Sequence, residues 1–207
     1  MSAYFSGCLT LTLEREKFII PGQTERSGVY AVDLFYKMKA LDGVKNRLRR
    51  ILKLAPDIEK NRREMEGKVL DHVVPPTERN KVSFIEHSRP IQVDDVKVRH
   101  AAANAVLQHY AQASLVVTSR IHCALPCLAF GTPVIFVDGA LGHQSERARL
   151  RGIIDLMPVL RVDQFGKMDF DALERDFHPK KVERRKLALE KIRSDLINRC
   201  VAFVDGT

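Results

Sequence analysis

Arg120 and His122 stand two residues apart at a junction between two apolar runs, with the hydroxyls of Thr118 and Ser119 just ahead of them. The run before them, Leu115 to Thr118, is short and valine-rich, as expected of a strand buried on both faces of a parallel sheet. The run after them, Cys123 to Phe130, is long enough for a helix, which Gly131 ends and Pro133 keeps from continuing. Either hydroxyl, Thr118 or Ser119, is placed to cap that helix. Val134 to Val137 then reads as a second buried strand. A strand–helix–strand unit of this kind holds the first amides of its helix, unpaired and partially positive, at the carboxyl end of the sheet, where anions bind. Arg120 adds a planar fork suited to bidentate contact with phosphate or carboxylate, a geometry lysine lacks. His122 can donate to a phosphate oxygen or protonate the bridging oxygen as phosphate leaves. Pro126, inside the helix, has no amide for the carbonyl of His122.

Phosphoenolpyruvate, with its carboxylate and phosphate, suits this pairing, and so does the diphosphate of a nucleotide sugar. The run TSRIHCALPCLAFGTPVIFVD, Thr118 to Asp138, resembles the signature of the polysaccharide pyruvyltransferase family, roughly Ser-Arg-(Leu/Ile)-His followed by an apolar helix and Gly-x-Pro. Phe5 to Thr12, FSGCLTLT, resembles the strand that closes that family's first domain. The resemblance implies an α/β fold, a Rossmann-like open parallel sheet with flanking helices, similar to one half of a GT-B-type fold. Residues 1–25 would then be a remnant strand and linker of a missing N-terminal domain, and residues 26–207 the Rossmann-like C-terminal domain. It implies transfer of ketal pyruvate from phosphoenolpyruvate to a sugar of a surface polysaccharide, with no cofactor beyond that donor. The implied partners are a glycan or lipid-linked sugar acceptor and a separate N-terminal domain. Ser119, Arg120, Ile121 and His122 would bind substrate, Arg120 and His122 acting in catalysis. The ending Ile85-Glu86-His87 resembles the family's strand end before the signature, which would turn His87 toward the cleft. Two other readings stay open: a non-catalytic or partner-dependent remnant domain, and a glycosyltransferase-like domain binding a nucleotide sugar at the same helix mouth.

The elements around this unit follow from periodicity and punctuation. Tyr4 to Leu13 alternates and predicts a strand. Ile19 to Thr24 reads as a linker. Gly28 to Leu34 predicts the first strand of the main domain, with Asp33 near its end. Between Lys37 and Arg63 the chain is strongly basic, and Val44, Leu48, Ile51, Leu52 and Ala55 fall on one helical stripe. Pro56 starts another helical piece running to about Met65. Val69 to Val74 predicts a short strand halted by Pro75 and Pro76, and Lys81 to Ile85 another strand. Asp94 and Asp95 open a helix that runs to Gln112. After Asp138 a polar, glycine-bearing connection carries His143, Ser145 and Arg147, candidates for contact with acceptor or donor. Met157 to Val162 predicts a last strand, Phe170 to Asp176 a short helix, and the chain from Lys180 a long basic amphipathic helix.

With 207 residues the chain is long enough for one domain with a substantial core. Its net charge of +8 suits anionic partners. Nucleic acid is not among the expected ones, because tryptophan is absent and no basic run is interleaved with stacking residues. No apolar run is long enough to span a bilayer, and the start lacks the pattern of a signal peptide. The expected location is cytoplasmic; the basic helix that carries the apolar stripe Val44 to Ala55 either packs on the core with its basic face solvated or lies on the inner membrane face. Cys123 and Cys127 lie four apart on one helix, but no second cysteine or histidine pair completes a metal site, so they are expected to be buried thiols.

Overall fold

The computed structural model describes residues 8–35, 58–86, 95–139, 152–163 and 165–206. Its centre is a parallel sheet of β1 (Val29–Val32), β2 (Val82–Ile85), β3 (Leu115–Thr118), β4 (Val134–Gly139) and β5 (Val159–Val162), in the order β2-β1-β3-β4-β5. The helices are α1 (Ile58–Val73), α2 (Val96–Gln112), α3 (Ile121–Ala129), α4 (Phe170–Asp176) and α5 (Pro179–Asp205).

β1, β3 and β4 are short, nearly unbroken apolar runs because both faces of the sheet are covered there, whereas the edge strand β2 has no buried residue and leaves Phe84 exposed. On one face Val32, Val116, Val134 and Phe136 pack against Tyr110 and Ala111 of α2 and against Cys123, Ala124 and Cys127 of α3. On the other, Ala31, Val117, Ile135, Val137 and Leu160 pack against Met65 and Val69 of α1 and Leu173 of α4. The result is the open α/β sheet with flanking helices that the sequence predicts.

Strand order creates one special position. The next described helix after β1, α1, packs on one face, and α3, which follows β3 directly, packs on the other. The neighbouring carboxyl ends of β1 and β3 therefore diverge, and the crevice between them is where open α/β sheets bind ligands.

Caps and stops are mostly where the residue types put them. Asp95 accepts a hydrogen bond from the Lys97 amide at 2.8 Å and starts α2. Asp169 does the same for α4 through the Ala172 amide. Gly131, at φ +62°, takes the left-handed conformation that ends α3. Arg26 ties the ends of α2 and α3 together, donating to the carbonyls of Ala111 at 3.0 Å and Phe130 at 2.6 Å and to Thr132 Oγ1 at 2.6 Å.

Two expected strands are not found among the described residues. Val69 to Val73 is the last part of α1, not a strand. Met65, Val69 and Val73 lie four apart and reach one face of the sheet together, so the apolar residues follow a helical period. Leu9–Thr12 is a 3-10 turn rather than part of a strand. It closes on itself, Leu11 N donating to the Cys8 carbonyl at 2.8 Å and Thr12 Oγ1 to the Leu9 carbonyl at 2.8 Å, so local bonds replace a ladder. Leu11 is fully buried with Leu125 of α3 and Leu156, beneath Leu189 and Ile192 of α5. The basic helix expected around the apolar stripe Val44 to Ala55 lies outside the described residues.

Candidate functional site

The site begins with Thr118, the last residue of β3 and fully buried. Its hydroxyl donates to the Val32 carbonyl across the β1–β3 junction at 2.9 Å and accepts from the Arg120 amide at 2.9 Å. Ser119 Oγ accepts from the Phe35 amide at 3.1 Å. Both hydroxyls are thus bound up with the junction, and neither caps α3 as the sequence predicts. Arg120 itself occupies the N-cap position, in extended backbone, with no side-chain cap bond. The amides of Cys123 and Ala124 turn back to the Arg120 carbonyl at 3.1 and 3.0 Å, which leaves those of Ile121 and His122 ahead of the first intrahelical bond.

Arg120 is held from the other side of the crevice. Its Nε donates to Asp33 Oδ2 at 2.8 Å, with the two side chains only 22% and 7% exposed. Asp33 directly follows β1, so the ion pair spans the two diverging strand ends. The loop carrying it is strained. Asp33 and Phe35 have φ of +45° and +53°, a region that costs a side-chain-bearing residue roughly 1–2 kcal/mol. Three contacts impose that conformation. Asp33 N donates to the Ile85 carbonyl of β2 at 3.2 Å, Phe35 N donates to Ser119, and the side chains of Leu34 and Phe35 are buried against the sheet. Strain so firmly fixed at the switch point of the sheet has the character of pre-organisation.

The remaining sequence candidates separate by burial. His122 is exposed in the first turn of α3. Ile121 is half-buried and packs into the core beside Leu125 and Leu156, so its side chain supports the turn. His87 and His143 lie outside the described residues, as do Ser145 and Arg147. Asp138 sits half-buried near the end of β4, on the same carboxyl edge one strand further along. Asp33 is the partner the sequence reading missed. The available signal was a carboxylate directly after an apolar strand, but its value depends on β1 lying beside β3.

Under α3, Cys123 and Cys127 are buried, as expected, beside Tyr110. Burial pushes the Cys127 thiol and the Tyr110 phenol well above their ordinary ranges, with Cys123 adding to both effects. A thiol so protected against ionisation is a packing group. Among the described residues no group of three histidine, cysteine or acidic side chains is placed to hold a metal ion.

Fold and site together define a doubly wound α/β domain with a cation-bearing helix start at its switch point. The chain belongs to the polysaccharide pyruvyl transferase family, whose model matches residues 2–139. That span includes β1 to β4, α3 and the Asp33–Arg120 pair, and it ends with the last residue of β4. No curated protein and no solved structure gives a significant match. Membership implies a transferase that acts on a polysaccharide. Among the described residues no helix is long and apolar enough to cross a membrane.

Proposed function

We propose that the chain binds phosphoenolpyruvate in the crevice between β1 and β3 and transfers its pyruvyl group, as a ketal, to a sugar of a surface polysaccharide. The observation that carries this reading is Arg120, fixed by Asp33 at the uncapped start of α3 with His122 exposed two residues on. The guanidinium and the first amides of α3 would take the donor's carboxylate and phosphate.

In the transfer, one acceptor hydroxyl adds to C2 of the enol while its proton goes to the terminal methylene, making the methyl group. The bond from C2 to the phosphate oxygen breaks, and His122 donates a proton to that oxygen. A second hydroxyl of the same sugar adds to C2 and closes the ketal, its proton restoring His122. The products are the ketal and inorganic phosphate. A separate N-terminal domain is the proposed source of the base that assists the hydroxyls. The positive charge of the chain supports an acidic or lipid-linked acceptor and a position at the inner membrane face.

Calorimetric titration with phosphoenolpyruvate tests the donor site. Saturable binding by the native chain and its loss in Arg120→Ala are expected. A folded chain that ignores phosphoenolpyruvate and binds a nucleotide sugar would replace this reading with a glycosyltransferase-like one. A folded chain that binds neither would point to a non-catalytic remnant.

A further inference from the structure

A second cation cluster lies at the opposite end of the sheet. The chain enters β5 from the amino-terminal edge, and there Ile154, Asp155 and Val159 meet the end of α4 and the first turns of α5 around a cavity of about 220 Å³. Three arginines line it from three different elements: Arg161 on β5, Arg175 on α4 and Arg184 on α5. None of the three forms an ion pair or side-chain hydrogen bond among the described residues.

The carboxylates in this cavity do not neutralise the cluster. Asp176 is taken up by Lys181 at 2.9 Å, by Arg185 at 3.0 Å and by the Val159 amide at 3.0 Å. Asp155 is the other acidic group in the lining. Against these two stand five cations, the three guanidiniums together with Lys181 and Arg185. Lys181 lies in the first turn of α5, so the positive end of that helix adds to the field. In keeping with such a field, the Asp176 carboxyl is held below its ordinary range: burial alone would raise it, but Lys181, the Val159 amide and Arg185 outweigh that.

We propose that this cavity is a second anion site, distinct from the β1–β3 crevice, which binds a diphosphate group. Arginines supplied by several elements around one cavity offer planar forks that match the paired oxygens of phosphoryl groups. The volume equals that of about seven waters in the liquid, room for more than one phosphoryl group. The group can come from a soluble diphosphate or from the headgroup of a diphosphate lipid. The inference does not rest on the proposed transfer reaction.

Inorganic pyrophosphate is the probe, titrated into the full chain, the double variant Arg175→Gln/Arg184→Gln, the single variant Arg161→Gln and Arg120→Ala. The substituted residues of the double variant are exposed, so an unchanged thermal midpoint should confirm its folding. The expected result is a binding phase roughly tenfold or more weaker in the double variant and weakened also in Arg161→Gln, whereas Arg120→Ala removes only the separate contribution of the β1–β3 crevice and leaves this phase in place. Phosphatidylcholine vesicles with and without a prenyl diphosphate separate the sources. Capture that needs the diphosphate lipid and both arginines assigns the lipid, whereas binding of pyrophosphate alone assigns the soluble group. No pyrophosphate binding by the native chain, equal binding by the double variant, or loss confined to Arg120→Ala would each overturn the proposal.

Discussion

Replacing Asp33 by asparagine removes one charge from the pair across the crevice and little else. Asparagine is nearly isosteric and tolerates positive φ, so the backbone at +45° gains no new strain. What is lost is a charge-assisted hydrogen bond of 2.8 Å, and what remains is a mostly buried guanidinium facing a neutral amide. Removing one partner of a fully buried pair costs about 3–5 kcal/mol. The Arg120 side chain is 22% exposed, so water recovers part of this, and a loss of about 2 kcal/mol is expected. With a urea slope of roughly 2 kcal/mol per molar, the midpoint should fall by about 1 M. The companion variants Arg120→Gln and Asp33→Asn/Arg120→Gln complete a thermodynamic cycle, in which the double variant should be less destabilised than the two single losses combined. Donor affinity in Asp33→Asn should fall as well, because the guanidinium loses its fixed orientation. A midpoint within about 0.2 M of the native value, or strictly additive losses, would refute the pair as the clamp of the site.

Three further outcomes follow from named contacts. Leu11→Ala should cost about 2–4 kcal/mol in chemical unfolding, since Leu11 is fully buried between α3 and α5; an unchanged midpoint would mean that the N-terminal turn is dispensable. His122→Ala should leave the unfolding midpoint within about 0.5 kcal/mol of native while lowering turnover of the complete system by a factor of roughly 100 or more. Turnover close to native in that variant would remove His122 from the chemistry. Asp176→Asn should flatten the acid limb of stability: its folded carboxyl is held below the ordinary value of about 3.9, so its contribution is present above that pH and is lost as pH falls through the folded value. Parallel stability curves for native and variant below pH 4 would contradict this.

Much of the scaffold could be read from residue types alone. Valine-rich runs mark β1, β3 and β4, and Asp95, Asp169 and Gly131 mark helix ends through chemistry that acts within a few residues. The misread segments are those where local pattern and tertiary packing disagree. Val69 to Val74 is strand-like by itself, and its helical character emerges only when Met65 is included in the stripe. The alternation of Leu9, Leu11 and Leu13 has no strand partner among the described residues, and the Thr12 hydroxyl satisfies the Leu9 carbonyl locally. Within the site, Arg120 and His122 were visible because they adjoin a strand–helix junction. The Asp33 pairing was not, because those two side chains are 87 residues apart and meet only through strand order. Thr118 and Ser119 were singled out as hydroxyls at the right place, but the sheet junction claims them before the helix can.

The adjacency of β1 and β3 also sets the order in which the molecule can be made. Val29 of β1 pairs with Leu115 of β3, so synthesis must add 86 residues after one partner before the other exists. At about 5–20 residues per second, that delay is roughly 4–17 s. During it Val29–Val32, destined for the middle of the sheet, lacks the strand that will cover one of its edges. The anion crevice therefore comes into being only when the centre of the sheet closes. A ligand for that crevice would act only on a chain whose β1 and β3 have paired, making binding a reporter of sheet closure as well as of affinity.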